Sequence, residues 1–165
     1  MYTSSTPNYL RRSLMVNDRA NQLRVAASKA NNKKRVKDEL RGLGLSRWAL
    51  LSMSSRYLQK IIHPGERLCG AVYGHQKDGM GMLVATDRRV IFIDKKPLFL
   101  KEDEITYDVV SGVSFNHAGL GSTLTLHTRI KDYTLLTVNN RSARNFVEYI
   151  ERNRLEQTTG MGGSL

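Results

Sequence analysis

A single cysteine, Cys69, stands in 165 residues, so no disulfide forms within the chain and the fold must rest on its core. Set among Leu68, Ala71 and Val72, with no cation or helix start clearly beside it, its thiol reads as a small hydrophobe rather than a reactive group. Long apolar runs are missing as well. None approaches the ~20 residues that cross a bilayer, and Met1-Tyr2-Thr3-Ser4-Ser5-Thr6-Pro7 holds no apolar core of signal-peptide length. A cytoplasmic location is the expectation. Convergent chemistry is missing too. His63, His75, His117 and His127, taken with Asp78, Asp87, Asp108, Asp132 and Glu102-Asp103-Glu104, show no zinc-ligand spacing, and no Ser or Cys lies in a nucleophile elbow. A non-enzymatic protein without metal or cofactor is expected. Acidic residues are scarce in one region only: residues 1–60 hold 3 Asp+Glu against 13 Lys+Arg, a net of +10, whereas residues 61–165 hold 12 against 13, a net of +1.

What is present, 40% hydrophobic and 25% charged residues, is enough to build a core. The length suits one domain of about 100 to 110 residues plus an extension. Residues 1–9 are polar, with Pro7 and Asn8 favouring a loop, and from about Tyr9 the Arg, Leu, Ala, Asn and Lys content predicts helix. The apolar positions Leu14, Leu23, Ala26, Ala27, Ala30, Val36 and Leu40 form only a loose stripe, which Asn31-Asn32 is placed to interrupt. Such a helix is marginal alone and is expected to dock. Gly42-Leu43-Gly44-Leu45 punctuates, and Ser46 then caps a second helix to about Ile61. Trp48, Leu51, Ser55, Leu58 and Ile62 share one face of it, so Trp48 is expected to anchor that helix on a sheet, with Leu50 and Met53 off the stripe.

After His63-Pro64-Gly65-Glu66 the period shortens to that of strands. Strands are expected near 67–75, 79–86, 89–94, 97–101, 105–115, 122–129 and 132–138, separated by turn chemistry such as Lys77-Asp78-Gly79 and Lys131-Asp132. Asp87-Arg88-Arg89 reads as a turn in which Asp87 accepts from the chain two residues on, and Glu102-Asp103-Glu104 as a solvated turn. A final helix from about Ser142 to Leu155, capped by Asn139 or Asn140, carries Ala143, Phe146, Val147 and Ile150 on one face, and a glycine-bearing flexible tail follows. The fold class is α+β: a seven-stranded antiparallel barrel or sandwich capped by a C-terminal helix and preceded by a helical extension. The expected divisions are a basic arm over 1–45, an amphipathic linker helix over 46–62, a β-rich domain over 61–155 and a tail over 156–165.

Seven strands closed by one helix is the order of the pleckstrin-homology superfold, and the wording agrees. Pro64-Gly65-Glu66, Gly81-Met82-Leu83-Val84-Ala85-Thr86-Asp87-Arg88-Arg89-Val90-Ile91-Phe92, Leu98-Phe99, Val109 to Val113 and Gly119-Leu120-Gly121-Ser122-Thr123-Leu124 carry the likeness. On these pieces residues 58–151 resemble the bacterial pleckstrin-homology-like family of the YokE type. The resemblance implies a binding platform and not a catalyst. Eukaryotic relatives often bind phosphoinositides through a basic loop after the first strand, but the matching Gly74-His75-Gln76-Lys77-Asp78-Gly79 offers one Lys and one Asp, a poor phosphate cage.

The remaining signal is charge. Arg11, Arg12, Arg19, Arg24, Lys29, Lys33, Lys34, Arg35, Lys37 and Arg41 are the candidate polyanion-binding residues, because clustered cations release condensed counterions on meeting phosphates. On a continuous helix they spread around most of the surface, which suits a phosphate-lined crevice. A membrane-lying helix wants bulky apolar residues opposite its cations, and residues 17–37 offer mainly Ala with Leu23, Val25 and Val36. The sequence therefore points to an adaptor whose arm contacts RNA or a ribonucleoprotein in preference to DNA, with a protein partner recruited through the barrel. The alternative is a peripheral membrane or protein-interaction module whose arm packs on the barrel or mediates self-association into a homo-oligomer.

Overall fold

Met82-Leu83-Val84-Ala85 and Val90-Ile91-Phe92-Ile93 lack the polar alternation of a sheet with one wet face, and each of these residues is buried. The computed structural model describes residues 8–161, with side chains from 17 to 156 apart from residue 118, and shows why. Its elements are helices α1 (Asn8–Gly42), α2 (Arg47–Leu51) and α3 (Met53–Ile61). There follow strands β1 (Leu68–Gln76), β2 (Gly79–Thr86), β3 (Val90–Lys96), β4 (Phe99–Ile105), β5 (Val110–Ala118), β6 (Gly121–Thr128) and β7 (Tyr133–Thr137), and then helix α4 (Asn140–Met161). The chain divides into two compact units with the boundary between Arg35 and Val36.

In the second unit the strands form one antiparallel sheet in the order β4-β3-β2-β1-β7-β6-β5. Val72, Leu83, Ala85, Val90, Phe92, Leu124, Leu126 and Leu135 gather on its inner side with Ala143, Phe146 and Ile150 of α4. Ala71, Met82, Val84, Ile91 and Ile93 point the other way, into a second apolar layer with Val36, Leu40, Leu45, Ala49, Leu50, Leu58 and Ile62. The helices before the sheet thus cover the outer side of β2 and β3, and the continuous apolar runs follow from burial on both faces. In β6, by contrast, buried Leu124 and Leu126 alternate with the half-buried Thr123, Thr125 and His127. The two halves of the sheet meet where β1 pairs with β7 at His75↔Leu136. There the backbones approach so closely that a Cβ on Gly74 would lie 2.5 Å from the Leu136 carbonyl oxygen.

The seven-stranded α+β architecture with flanking helices is as the sequence reads. Several local expectations need correction. Asn31-Asn32 does not interrupt α1, which is continuous to Gly42. The helix after Ser46 breaks at Ser52, whose extended backbone ends α2 while its hydroxyl accepts the Ser55 N–H at 3.1 Å and starts α3. That break turns Trp48 outward: it is 84% exposed, and Ala49 and Leu50 take the buried face. The acidic run 102–104 lies within β4 rather than in a turn. Around Asp87 it is the Thr86 hydroxyl that accepts from the Arg88 and Arg89 N–H groups, at 3.1 and 3.0 Å, while Asp87 accepts from the Arg67 N–H. Asn139 caps α4 through the Ser142 N–H at 3.2 Å, and the helix runs past Leu155 to Met161.

Candidate functional site

The arm is the first candidate. From Asn17 to Asn31 every residue is exposed, consistent with a composition too poor in bulky apolar side chains to bury a face. At about 100° per residue, Arg19, Arg24, Lys29, Lys33, Lys34 and Arg35 occupy about 240° of the helix circumference. Between residues 8 and 35 the sequence supplies one carboxylate, Asp18. Among the described residues no ion pair engages Arg19, Arg24, Lys29, Lys33 or Lys34, so their charge stays available to solvent. Arg35 is half-buried and directs its guanidinium to the Asn32 side-chain oxygen, at 2.7 Å from Nη2. In the second unit Lys37 is exposed, and Arg41 lies 3.7 Å from Asp38, a solvated i,i+3 pair of small weight. The side chains of Arg11 and Arg12 lie outside the described residues.

The run that carries the family likeness proves structural. Glu66 is fully buried and receives Arg89 through Nε and Nη2, at 3.0 and 3.1 Å, together with the His63 N–H at 3.0 Å. Burial pushes the Glu66 carboxyl up, but the hydrogen bonds from Arg89 and His63 outweigh it and hold the group below the usual carboxylate range. The other arm of Arg89 pairs with Glu104, and its Nη2 also donates to the Ile61 carbonyl. Tyr107 and Tyr149 both donate to the Thr86 carbonyl. Helix α3, the entry to β1, the β2–β3 turn and β4 are thereby tied at one point, and sequence spacing gave no hint of a partner 23 residues away.

The loop matching the phosphoinositide site is no better equipped in three dimensions. Lys96 Nζ, the cation beside it, donates to the Asp78 carbonyl at 2.5 Å and pairs with the buried Asp94 at 3.3 Å. An acceptor-bound lysine next to a buried carboxylate does not welcome a phosphate.

On the outer side of β5 and β6, Ser114 Oγ lies 3.0 Å from His127 Nε2 and His127 Nδ1 lies 2.9 Å from Asp132. The order is that of a proton relay, but the His127 and Asp132 side chains are 40% and 53% exposed. In water such a pair is screened, and a solvated imidazole activates a hydroxyl weakly. Among the described residues no group of His, Cys, Asp and Glu is placed to hold a metal ion. Nor is any helix among them long and apolar enough to cross a membrane.

One concave surface was not foreseen. A groove of about 390 Å³ is lined by Trp48 and Ala49 of α2, by Tyr73, His75, Met80 and Leu136 of the sheet, and by Val138. It combines helix α2 with the sheet, so the exposed Trp48 that breaks the expected helical face is the residue that marks it.

Among curated proteins none matches the sequence. Among solved structures, the crystal structure at 2.00 Å of a DUF1696 family protein with a pleckstrin-homology domain from Shewanella loihica PV-4 is similar. The two are 22% identical over 50% of this chain and 74% of that one, with a TM-score of 0.33. The sequence pattern of the bacterial PH domain matches residues 62–152, a span that takes in the Glu66–Arg89 tie, all of the strands and most of α4. With more than half of its residues inside that match, the chain belongs to the bacterial PH domain family.

Proposed function

We propose that this protein is a non-enzymatic cytoplasmic adaptor in which a PH-like domain is held on a phosphate-rich polymer, RNA or a ribonucleoprotein in preference to DNA, by its basic helical arm. The observation that carries the reading is the set of exposed cations Arg19, Arg24, Lys29, Lys33 and Lys34, with no ion pair among the described residues and almost no carboxylate near them in sequence. Cations left unpaired keep their full attraction for a polyanion, and counterion release then supplies affinity without base recognition. Their spread around the helix favours a partner with phosphates on more than one side, as a folded RNA has and a flat lipid surface has not. The paucity of bulky apolar residues in the arm argues the same way.

Fluorescence anisotropy of a labelled mixed-sequence RNA, titrated with the full chain at low salt, tests this. Replacing Lys33, Lys34, Arg35 and Lys37 together by Ala should weaken binding at least tenfold while leaving the fold intact by circular dichroism. RNA binding that is absent at low salt, or unchanged in the quadruple variant, refutes the assignment.

A further inference from the structure

We propose that the groove beside Trp48 docks an acidic segment of a partner protein through a bulky apolar anchor, independently of what the arm binds. The groove is apolar where a soluble protein would rather be polar. Trp48, Val138, Leu136 and Met80 are 84, 83, 52 and 40% exposed and share its lining, although neighbouring Ala49 and Leu50 show that α2 has a buried face to offer. Four large apolar side chains gathered around one concavity mark an interaction surface, where isolated ones mean nothing. A cavity of about 390 Å³ has the size of a specific binding pocket and accepts one aromatic or a pair of aliphatic side chains. Its concave shape, lined by α2 and the sheet, fits a chain segment better than a bilayer.

Charge selects the kind of segment. No Asp or Glu lines the groove, and His75 does. Arg47 precedes Trp48 in α2 and is exposed. Arg141 lays its side chain by Gly44, 3.6 Å from where a Cβ there would stand, and the Asn139 amide donates to the Gly44 carbonyl at 2.7 Å. That contact fixes the first turn of α4, with Arg141 and Arg144 exposed on it, beside the loop leading into α2. Among the described residues neither these arginines nor Arg47 has an ion pair, and the next carboxylate along α4 is Glu148. None of the three arginines lines the groove itself: Arg47 lies in the chain between the lining residues Ser46 and Trp48, and Arg141 and Arg144, next to the lining Ser142, share a neighbouring concavity with Glu148. An apolar groove flanked by these exposed cations is complementary to Asp and Glu flanking Leu, Phe or Trp.

The protein carries its own reporter, because Trp48 is its one tryptophan. A displayed library of random 12-residue peptides is panned against the full chain, and enriched tryptophan-free peptides are titrated while Trp48 emission is followed. The expected result is enrichment of peptides with acidic residues around a bulky apolar one, a blue shift of Trp48 emission on binding, and at least tenfold weaker binding to Val138→Asp, which sets a like charge against the ligand. Trp48→Ala, read by anisotropy of a labelled peptide, should weaken binding by a similar factor. Both side chains are exposed, so circular dichroism should show both variants folded. No enrichment, enrichment without acidic residues, or indifference to both substitutions overturns the proposal. So does a blue shift produced by protein concentration alone and lost in Val138→Asp, which assigns the groove to a second copy of the chain. A shift produced by polyuridylate, or by vesicles containing phosphatidylglycerol, overturns it in favour of those ligands.

Discussion

Replacing Arg89 by Met strands the Glu66 carboxylate in the interior. Methionine keeps the volume of the stem but removes two donors, Nε at 3.0 Å and Nη2 at 3.1 Å, from a carboxylate with no exposed surface, and with them the pair to the more exposed Glu104 and the bond to the Ile61 carbonyl. The His63 N–H remains at 3.0 Å and cannot compensate a full charge. Removing one partner of a buried ion pair typically costs about 3 to 5 kcal/mol, which for a chain of this length lowers Tm by roughly 10 °C. The pH dependence is diagnostic. In the native protein the Glu66 carboxyl is held below its ordinary pKa, so its contribution is present above the unfolded-state pKa and is lost as pH falls through the folded one. In the variant burial dominates, the carboxyl moves above its ordinary value, and acidification relieves the strain by protonating it. The deficit relative to the native chain should therefore shrink on going from pH 7 to pH 4.5, at up to about 1.4 kcal/mol per pH unit. Urea denaturation followed by circular dichroism is the assay, since the exposed Trp48 is a poor reporter of unfolding. Adding Glu66→Gln to the variant should restore part of the loss at neutral pH. A loss under about 1 kcal/mol, or one identical at both pH values, would refute the role of this pair in clamping α3, β1, the β2–β3 turn and β4.

Other consequences are more local. Gly74→Ala sets a methyl 2.5 Å from the Leu136 carbonyl oxygen, which is backbone and cannot step aside, so chemical denaturation should show a loss of about 3 kcal/mol or an insoluble product. Ser52→Ala removes the cap that receives the Ser55 N–H, and should cost about 1 kcal/mol with faster amide exchange in the first turn of α3. Burial pushes the Cys69 thiol up, so Ellman's reagent at neutral pH should modify it at least tenfold more slowly in the folded chain than in urea; equal rates would reopen the case for a reactive thiol.

The strands were legible because this chain punctuates them with Gly, Asp, Asn and Pro, and because β2 and β3 are buried on both sides and so spell uninterrupted runs of Val, Ile and Leu. Helix α4 was legible through Ala143, Phe146 and Ile150, which all bury. Reading failed where tertiary partners decide. Trp48 has the composition of an anchor, yet a single serine at 52 rotates the face on which it lies. Glu102, Asp103 and Glu104 look like a solvated turn until Tyr57, Lys131 and Arg89 supply partners from distant elements, which lets acidic residues pair as an edge strand. Asn31-Asn32 looked like a break because asparagine competes for backbone hydrogen bonds; Asn32 spends its side chain on Arg35 instead, and the helix continues. Of the candidate sites, the cationic arm was readable from charge alone, whereas the groove was not, since its lining comes from segments some 90 residues apart, Trp48 and Val138.

The salt dependence of RNA affinity tests the central claim most directly. If the six cations Arg19, Arg24, Lys29, Lys33, Lys34 and Arg35 each meet a phosphate of a folded RNA, the logarithm of the association constant should fall by about 4 to 5 per tenfold rise in salt, and affinity by at least about 300-fold between 50 and 200 mM. A flat dependence, or a slope that survives neutralising those six side chains, would contradict the account.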